Sequence, residues 1–252
     1  MSGGGEAPLP AWRVEEHASL PSTQQALKAR LAAGEDVDGL VIRALEQPAG
    51  VGRRGKAWSG APGGSYQSAA LADRTGALRQ PWVTLAIGVG IAEQLQAAGA
   101  QARVKWPNDL YLTGAKLAGV LCEHVHGHLV VGVGVNVANT VPDGAAALRG
   151  WRLQVVNELV LDGVRAGLSE LVLGAPREAG ESASPGLPER FAAHDFLAGR
   201  WVELLTPAGE VAGTARGVDA SGALLVETDG GVARVVDGSV IRWGPASGSG
   251  GG

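Results

Sequence analysis

The chain has 252 residues, room for one large domain or for a large and a small one. Hydrophobic residues make up 45% and charged residues 18%, enough apolar surface to outweigh ordering entropy, which excludes a mostly disordered chain. Against 21 Lys and Arg stand 25 Asp and Glu, and this net charge of −4 excludes a protein living on phosphate backbones or anionic lipid and makes any basic site local.

The Gly- and Ser-rich ends, residues 1–10 and 245–252, read as disordered. A strand is expected near Trp12 to Glu16, then a helix opened by Ser22 and Gln25 at capping-box spacing and stopped at Gly34. Leu40-Val41-Ile42 reads as a buried strand leading into an irregular glycine-rich run from Gln47 to Gly64. Pro81 to Ala98 carries Leu85, Val89, Ala92 and Leu95 at helical spacing and forms the central helix. Its interruption by Glu93, Gln94 and Gln96 argues against a membrane span. Short strands follow at Ala102 to Trp106, Lys116 to Glu123 and His128 to Val137, with turns at Thr113-Gly114 and near Gly127, an antiparallel-rich sheet beside helices. Another helix follows Trp151 through Val155, Leu159, Val164 and Leu168, before a loose polar stretch from Glu178 to Pro188. Arg200 to Trp243 shows short strands every eight to ten residues, with turns such as Asp219-Ala220-Ser221-Gly222 and Asp237-Gly238-Ser239, and reads as a small SH3-type barrel.

Several segments carry chemistry. In Gly50-Val51-Gly52-Arg53-Arg54-Gly55-Lys56-Ala57-Trp58, three glycines let backbone N–H groups approach an anion and three cations collect beside them; a solvated basic loop is an equal reading. The run lacks the spacing of a P-loop or of a dinucleotide fold. In Lys105-Trp106-Pro107-Asn108-Asp109-Leu110 the proline ends strand pairing and leaves Asn108 and Asp109 in a turn, which alone is an ordinary turn composition. Lys116 opens an apolar strand, where an edge lysine is the ordinary occupant. In Val131 to Val137 the period of two puts valines on one face and Gly132, Gly134 and Asn136 on the other, a bare face that admits a ligand or another backbone. One cysteine, Cys122, excludes an internal disulfide and reads as an inert hydrophobe, and His124, His126 and His128 read as a hairpin tip rather than metal ligands. No Gly-x-Ser-x-Gly elbow supports hydrolase chemistry. The start of the chain carries no signal-peptide pattern, and with one cysteine this fits the cytoplasm.

Taken in order, Ser22-Thr23-Gln24, Glu46-Gln47, Gly50 to Trp58, Lys105 to Leu110, Lys116 to Leu121, Gly132 to Asn136 and Gly150-Trp151 resemble the biotin protein ligases, over about Trp12 to Trp243. The resemblance implies an α+β fold: a catalytic domain at 11–197 related to class II aminoacyl-tRNA synthetases, a mixed sheet packed with helices, followed by an SH3-like domain at 198–244. It implies an ATP-dependent ligase that makes biotinyl-5′-AMP from biotin and Mg-ATP, then passes biotin to a lysine of a biotin carboxyl carrier protein. Metal would come as Mg2+ with ATP, and the sequence assigns no residue as its ligand. By the same resemblance Ser22, Thr23, Gln24 and Gln47 surround biotin with Val51, Gly52 and Arg53, while Arg53, Arg54, Lys56 and Trp58 face the adenylate. Lys116, at biotin and the phosphate, stabilises charge on the α-phosphate and is catalytic with Arg53 and Asp109, while Asn108, also at the adenylate, and Asp109 orient the acceptor lysine, with Asp109 as its base or its anchor. Gly132 and Gly134 give the ligand room, Asn136 bonds near the nucleotide and Trp151 covers the adenine or packs in the core.

Departures from the family pattern are Val51 and Ala57 where basic residues are common, which lowers the charge of the loop, and Lys56 for a frequent Arg, which loses the planar fork. Only about ten residues precede Trp12, so the expectation is a monofunctional ligase without the winged-helix domain some members carry, binding neither nucleic acid nor membrane, as monomer or homodimer. The alternatives are a lipoate or octanoate ligase, told apart by the glycine loop and the Lys105 segment, and a non-catalytic biotin-binding module, which would not need cations aimed at a phosphate.

Overall fold

The computed structural model describes residues 9–172 and 186–245. A seven-stranded mixed sheet forms the first part: β1 (Arg13–His17), β2 (Leu40–Ala44), β5 (Ser65–Ala72), β6 (Arg103–Lys105), β7 (Asp109–Leu112), β8 (Ala115–Val125) and β9 (His128–Val135), in the order β1-β2-β5-β9-β8-β7-β6. Only β1 and β2 run parallel; the remaining pairs are antiparallel. A separate two-stranded ribbon, β3 (Gln47–Val51) with β4 (Ala57–Gly60), stands off the sheet.

One face of the sheet is closed by α2 (Val83–Ala97) and α3 (Leu153–Val172). Their glycines set the spacing: a Cβ on Gly90 would lie 2.3 Å from the Gly163 carbonyl, and one on Gly167 would lie 2.4 Å from the Ala86 carbonyl. Val131, Val133 and Val135 join that core. On the opposite face, Leu27 and Leu31 of α1 (Thr23–Ala32) pack on Ile42, Ala70 and Val130 and cover only part of the sheet. Gly132 and Gly134 continue that second face beyond α1, as the alternation of β9 predicts.

The second part is five antiparallel strands in the order β13-β12-β11-β10-β14, consistent with the SH3-like expectation. They are β10 (Trp201–Thr206), β11 (Gly209–Val218), β12 (Leu224–Thr228), β13 (Gly231–Val235) and β14 (Ser239–Gly244). Trp243 stacks edge-on to Tyr111 and Phe196 at centroid distances of 5.7 and 6.0 Å, and the Trp106 indole donates to the Gly222 carbonyl at 3.0 Å. These contacts tie the barrel to the β6–β7 corner.

Three expectations change. The run from Gln47 to Gly64 is not wholly irregular, since it contains the β3–β4 ribbon. The expected loose stretch from Glu178 lies outside the described residues up to 185, but Leu187 and Pro188 begin α4 (Leu187–His194), because proline in a first helical turn forfeits no hydrogen bond. The disordered ends likewise lie outside the described residues except at 9, 10 and 245, and the carbonyls of Leu9 and Pro10 are held by Arg165.

Candidate active site

The open part of the sheet's second face floors a cavity of about 260 Å³ roofed by the β3–β4 ribbon. Glycine makes the roof possible: a Cβ on Gly60 would lie 2.4 Å from the Gln47 carbonyl and one on Gly50 would lie 2.7 Å from that of Trp58. Between the two strands Arg53–Gly55 forms a single 3-10 turn in which Arg54 takes a left-handed φ of 56°. Trp58 hangs from β4 over the floor, so close that a Cβ on Gly134 would lie 2.6 Å from its indole ring. The bare face of β9 is therefore overhung by the Trp58 and Gln24 side chains and not by another backbone.

One end of the cavity is polar and buried. Ser22 caps α1, accepting from the Gln25 N–H at 3.4 Å, and so presents Thr23 and Gln24 at the helix start. Thr23 donates from its backbone N–H and its Oγ1 to Gln47 Oε1 at 2.7 and 3.0 Å, and its hydroxyl meets Ser68 Oγ at 2.8 Å. With Oε1 taken, the amide nitrogen of Gln47 is the donor end left for a ligand. Gln24 donates to Glu123 and to the Val130 carbonyl, and its own oxygen is buried without a partner among the described residues.

The other end is cationic. Lys116 Nζ sits 2.7 Å from Asp109 Oδ1 and 5.4 Å from the Trp58 ring centroid. Arg53 donates to Asn108 Oδ1 at 3.1 Å and to Asp237 Oδ1 at 3.2 Å, and Arg54 donates to Ser239 Oγ at 3.0 Å. Burial lowers the pKa of Arg53, opposed by the charge of Asp237. Lys105, 7% exposed, donates to the Val240 carbonyl at 3.1 Å and lies 4.1 Å from the Trp243 ring centroid. Its burial pulls the ammonium pKa down to about 8, against the pull of Asp109.

Every expected site residue lines this cavity except Asn136 and Trp151. Asn136 spends both ends of its amide within the protein, donating to the Ala146 carbonyl at 3.0 Å and accepting from Asn139 at 3.1 Å. Trp151 packs against the main core. Cys122, its thiol pushed up to about 12 by burial, is not among the lining residues.

The family model for biotin/lipoate A/B protein ligases matches residues 17–138, and that for the biotin protein ligase C-terminal domain matches residues 198–245. The bifunctional ligase/repressor BirA of Escherichia coli strain K12 is 34% identical over 242 residues, covering 91% of this chain and 71% of that protein. The chain belongs to the biotin protein ligases. Within the family it is also 29% identical to the biotin–[acetyl-CoA-carboxylase] ligase of Mycobacterium tuberculosis, over 92% of this chain and 90% of that one. The solved structure of the Aquifex aeolicus biotin protein ligase in complex with biotin and ATP superposes with a TM-score of 0.76 at 26% identity, covering 89% of this chain and 96% of that one.

Sequence reasoning missed several lining residues of this biotin protein ligase. Ser68 and Gln67 come from β5, a strand whose Ser, Gln and Ala content gave no hydrophobic alternation. Ser239 and Val240 arrive from the barrel more than 100 residues after the rest of the lining, a distance no local pattern spans. Among the described residues no helix is long and apolar enough to cross a membrane.

Proposed function

We propose that the chain is an ATP-dependent biotin protein ligase acting in two steps on a biotin carboxyl carrier protein. What carries this reading is one cavity with a buried amide-and-hydroxyl end, at Thr23, Gln24 and Gln47, and a cationic end, at Arg53, Lys56 and Lys116. A substrate with a polar ring at one end and a carboxylate at the other fits that division. An apolar lipoyl or octanoyl tail would leave the buried amides unpaired, at a cost of about 1–3 kcal/mol each.

In the first step a biotin carboxylate oxygen attacks the α-phosphorus of Mg-ATP, forming the acyl–phosphate bond as the bond to pyrophosphate breaks. Arg53 and Lys116 bring two anions together that would otherwise repel, and then hold the charge that grows on the phosphate oxygens. Magnesium enters with the nucleotide as part of the substrate. In the second step the ε-amine of the carrier lysine attacks the acyl carbon, the C–N bond forms and AMP leaves with the bonding pair. Asp109 holds the incoming ammonium or accepts its proton, and its contact with Lys116 supports a shared position beside the leaving phosphate.

The test is biotin-dependent exchange of labelled pyrophosphate into ATP by the purified chain, with lipoate and octanoate in parallel. Exchange with biotin alone is expected. Exchange with lipoate instead would keep the chemistry and overturn the substrate, and biotin binding without any exchange would leave a non-catalytic module.

A further inference from the structure

Lys28 and Glu123 take no part in the two steps above, yet they are joined to the cavity through one side chain. Lys28 Nζ lies 2.8 Å from Glu123 Oε1, and the other carboxylate oxygen accepts from Gln24 Nε2 at 3.0 Å. Gln24 Nε2 also donates to the Val130 carbonyl at 3.2 Å. Both partners are acceptors, and only the NH2 end of an amide can meet two acceptors, so the polarity of the Gln24 amide is fixed. Its Oε1 must then face the other way, and it does: a Cβ on Gly132 would lie 2.6 Å from it, which places the oxygen directly over the glycine floor. That oxygen is buried, on a residue 3% exposed, and has no partner among the described residues. A buried carbonyl without a donor is costly unless a ligand supplies one.

We infer that Lys28 and Glu123 are positioning residues that lock Gln24 with its oxygen toward the cavity, as the acceptor for a ring N–H of the substrate. The inference rests on the biotin reading and sharpens it. A cyclic urea carries two N–H donors, one of which meets Gln24 Oε1, whereas a dithiolane or an alkyl chain carries none. Glu123→Gln keeps the shape of the relay but replaces one acceptor by an amide that can donate, so only the Val130 carbonyl still holds the Gln24 amide in its orientation. Lys28→Met, at a side chain 25% exposed, removes the outer anchor and leaves the acceptor in place.

Pyrophosphate exchange and calorimetric titration with biotin test this, with biotin methylated on either ring nitrogen as the probe. Glu123→Gln is expected to raise the biotin KM about 10–50-fold with kcat within about threefold, and Lys28→Met to raise it about 2–5-fold, the ATP KM staying put in both. The wild type is expected to reject one methyl isomer more strongly than the other, and Glu123→Gln to shrink that preference, which a merely structural role would not do. A biotin KM within twofold of wild type in Glu123→Gln, or a raised KM with the methyl preference intact, would overturn the relay. Absence of biotin-dependent exchange in the wild type would instead overturn the substrate reading beneath it.

Discussion

The strand pattern alone reads Lys116 as an edge lysine, the family resemblance gives it a role at the α-phosphate, and the structure sets it beside Asp109 and Trp58. The lysine side chain is 39% exposed, and its ammonium is held by Asp109 at 2.7 Å and backed by the face of Trp58. Truncation would remove one preorganised cation and leave Asp109 without its counter-charge. Lys116→Ala is therefore expected to slow adenylation by about 10²–10³, roughly 2.7–4 kcal/mol, while biotin still binds. Single-turnover formation of biotinyl-AMP measures this, and a rate within a few-fold of wild type would take Lys116 out of the first step. Lys105 is the counterexample in legibility. The sequence placed it in a motif but could not show that it is buried against Val240 and Trp243, because that burial comes from the barrel. Its pKa is about 8 in the folded chain, against an ordinary 10.5. Below pH 8 both states bind the proton and the folded state bears the full burial cost. That cost is relieved as pH rises from 8 to 10.5, where the unfolded chain still holds a proton the folded one has released. Relative to Lys105→Met, the wild type should gain up to about 3 kcal/mol between pH 7 and 10.5, read by urea unfolding at each pH. An unchanged difference would mean the ammonium is well solvated.

At the scale of elements, β9 shows how one strand serves two purposes. Its valines build the core under α2 and α3, and its glycines leave the space that Trp58 and Gln24 overhang. Gly134→Ala is expected to displace the Trp58 indole, shift tryptophan emission and raise the biotin KM about tenfold, with unfolding free energy within about 1 kcal/mol of wild type because the roof can move. Gly167→Ala makes the contrast: its Cβ would meet the Ala86 backbone carbonyl at 2.4 Å, where nothing flexible can give way. It should cost about 1–3 kcal/mol of stability and leave the biotin KM alone. If Gly134→Ala binds biotin as wild type does, Trp58 is not the roof. The alternation of β9 was readable because its two faces differ so sharply in side-chain size. β5 was not, since all but its last residue are buried on both faces and Gln67 and Ser68 satisfy their polarity through contacts remote in sequence. The ribbon was legible as a glycine loop but not as two strands, because its pairing depends on close backbone approach and not on apolar alternation.

For the whole molecule, the question is why a ligase site should reach into the barrel at all. Asp237, in the turn before β14, accepts from both Arg53 and Arg54, and Ser239 accepts from Arg54, so the tip of the roof is tied to the second domain. Asp237 is 53% exposed, and such ion pairs contribute at most about 1 kcal/mol in total fold stability. In the proposed two-step reaction their effect falls on the loop: a tip already held has less entropy to lose in binding the adenylate. Arg53 has a second anchor in Asn108 at 3.1 Å, so it stays near the cavity when the tie is cut. Asp237→Ala should then leave unfolding free energy within about 1 kcal/mol of wild type and release biotinyl-AMP about 2–10-fold faster. Raising salt should reproduce part of that loss in the wild type and little in the variant, since the charges it screens are already gone. Stopped-flow chase of the bound adenylate against excess biotin, at low and high salt, measures both. An off-rate equal to wild type at low salt would mean that the barrel merely sits beside the loop and that Arg53 is positioned by Asn108 alone.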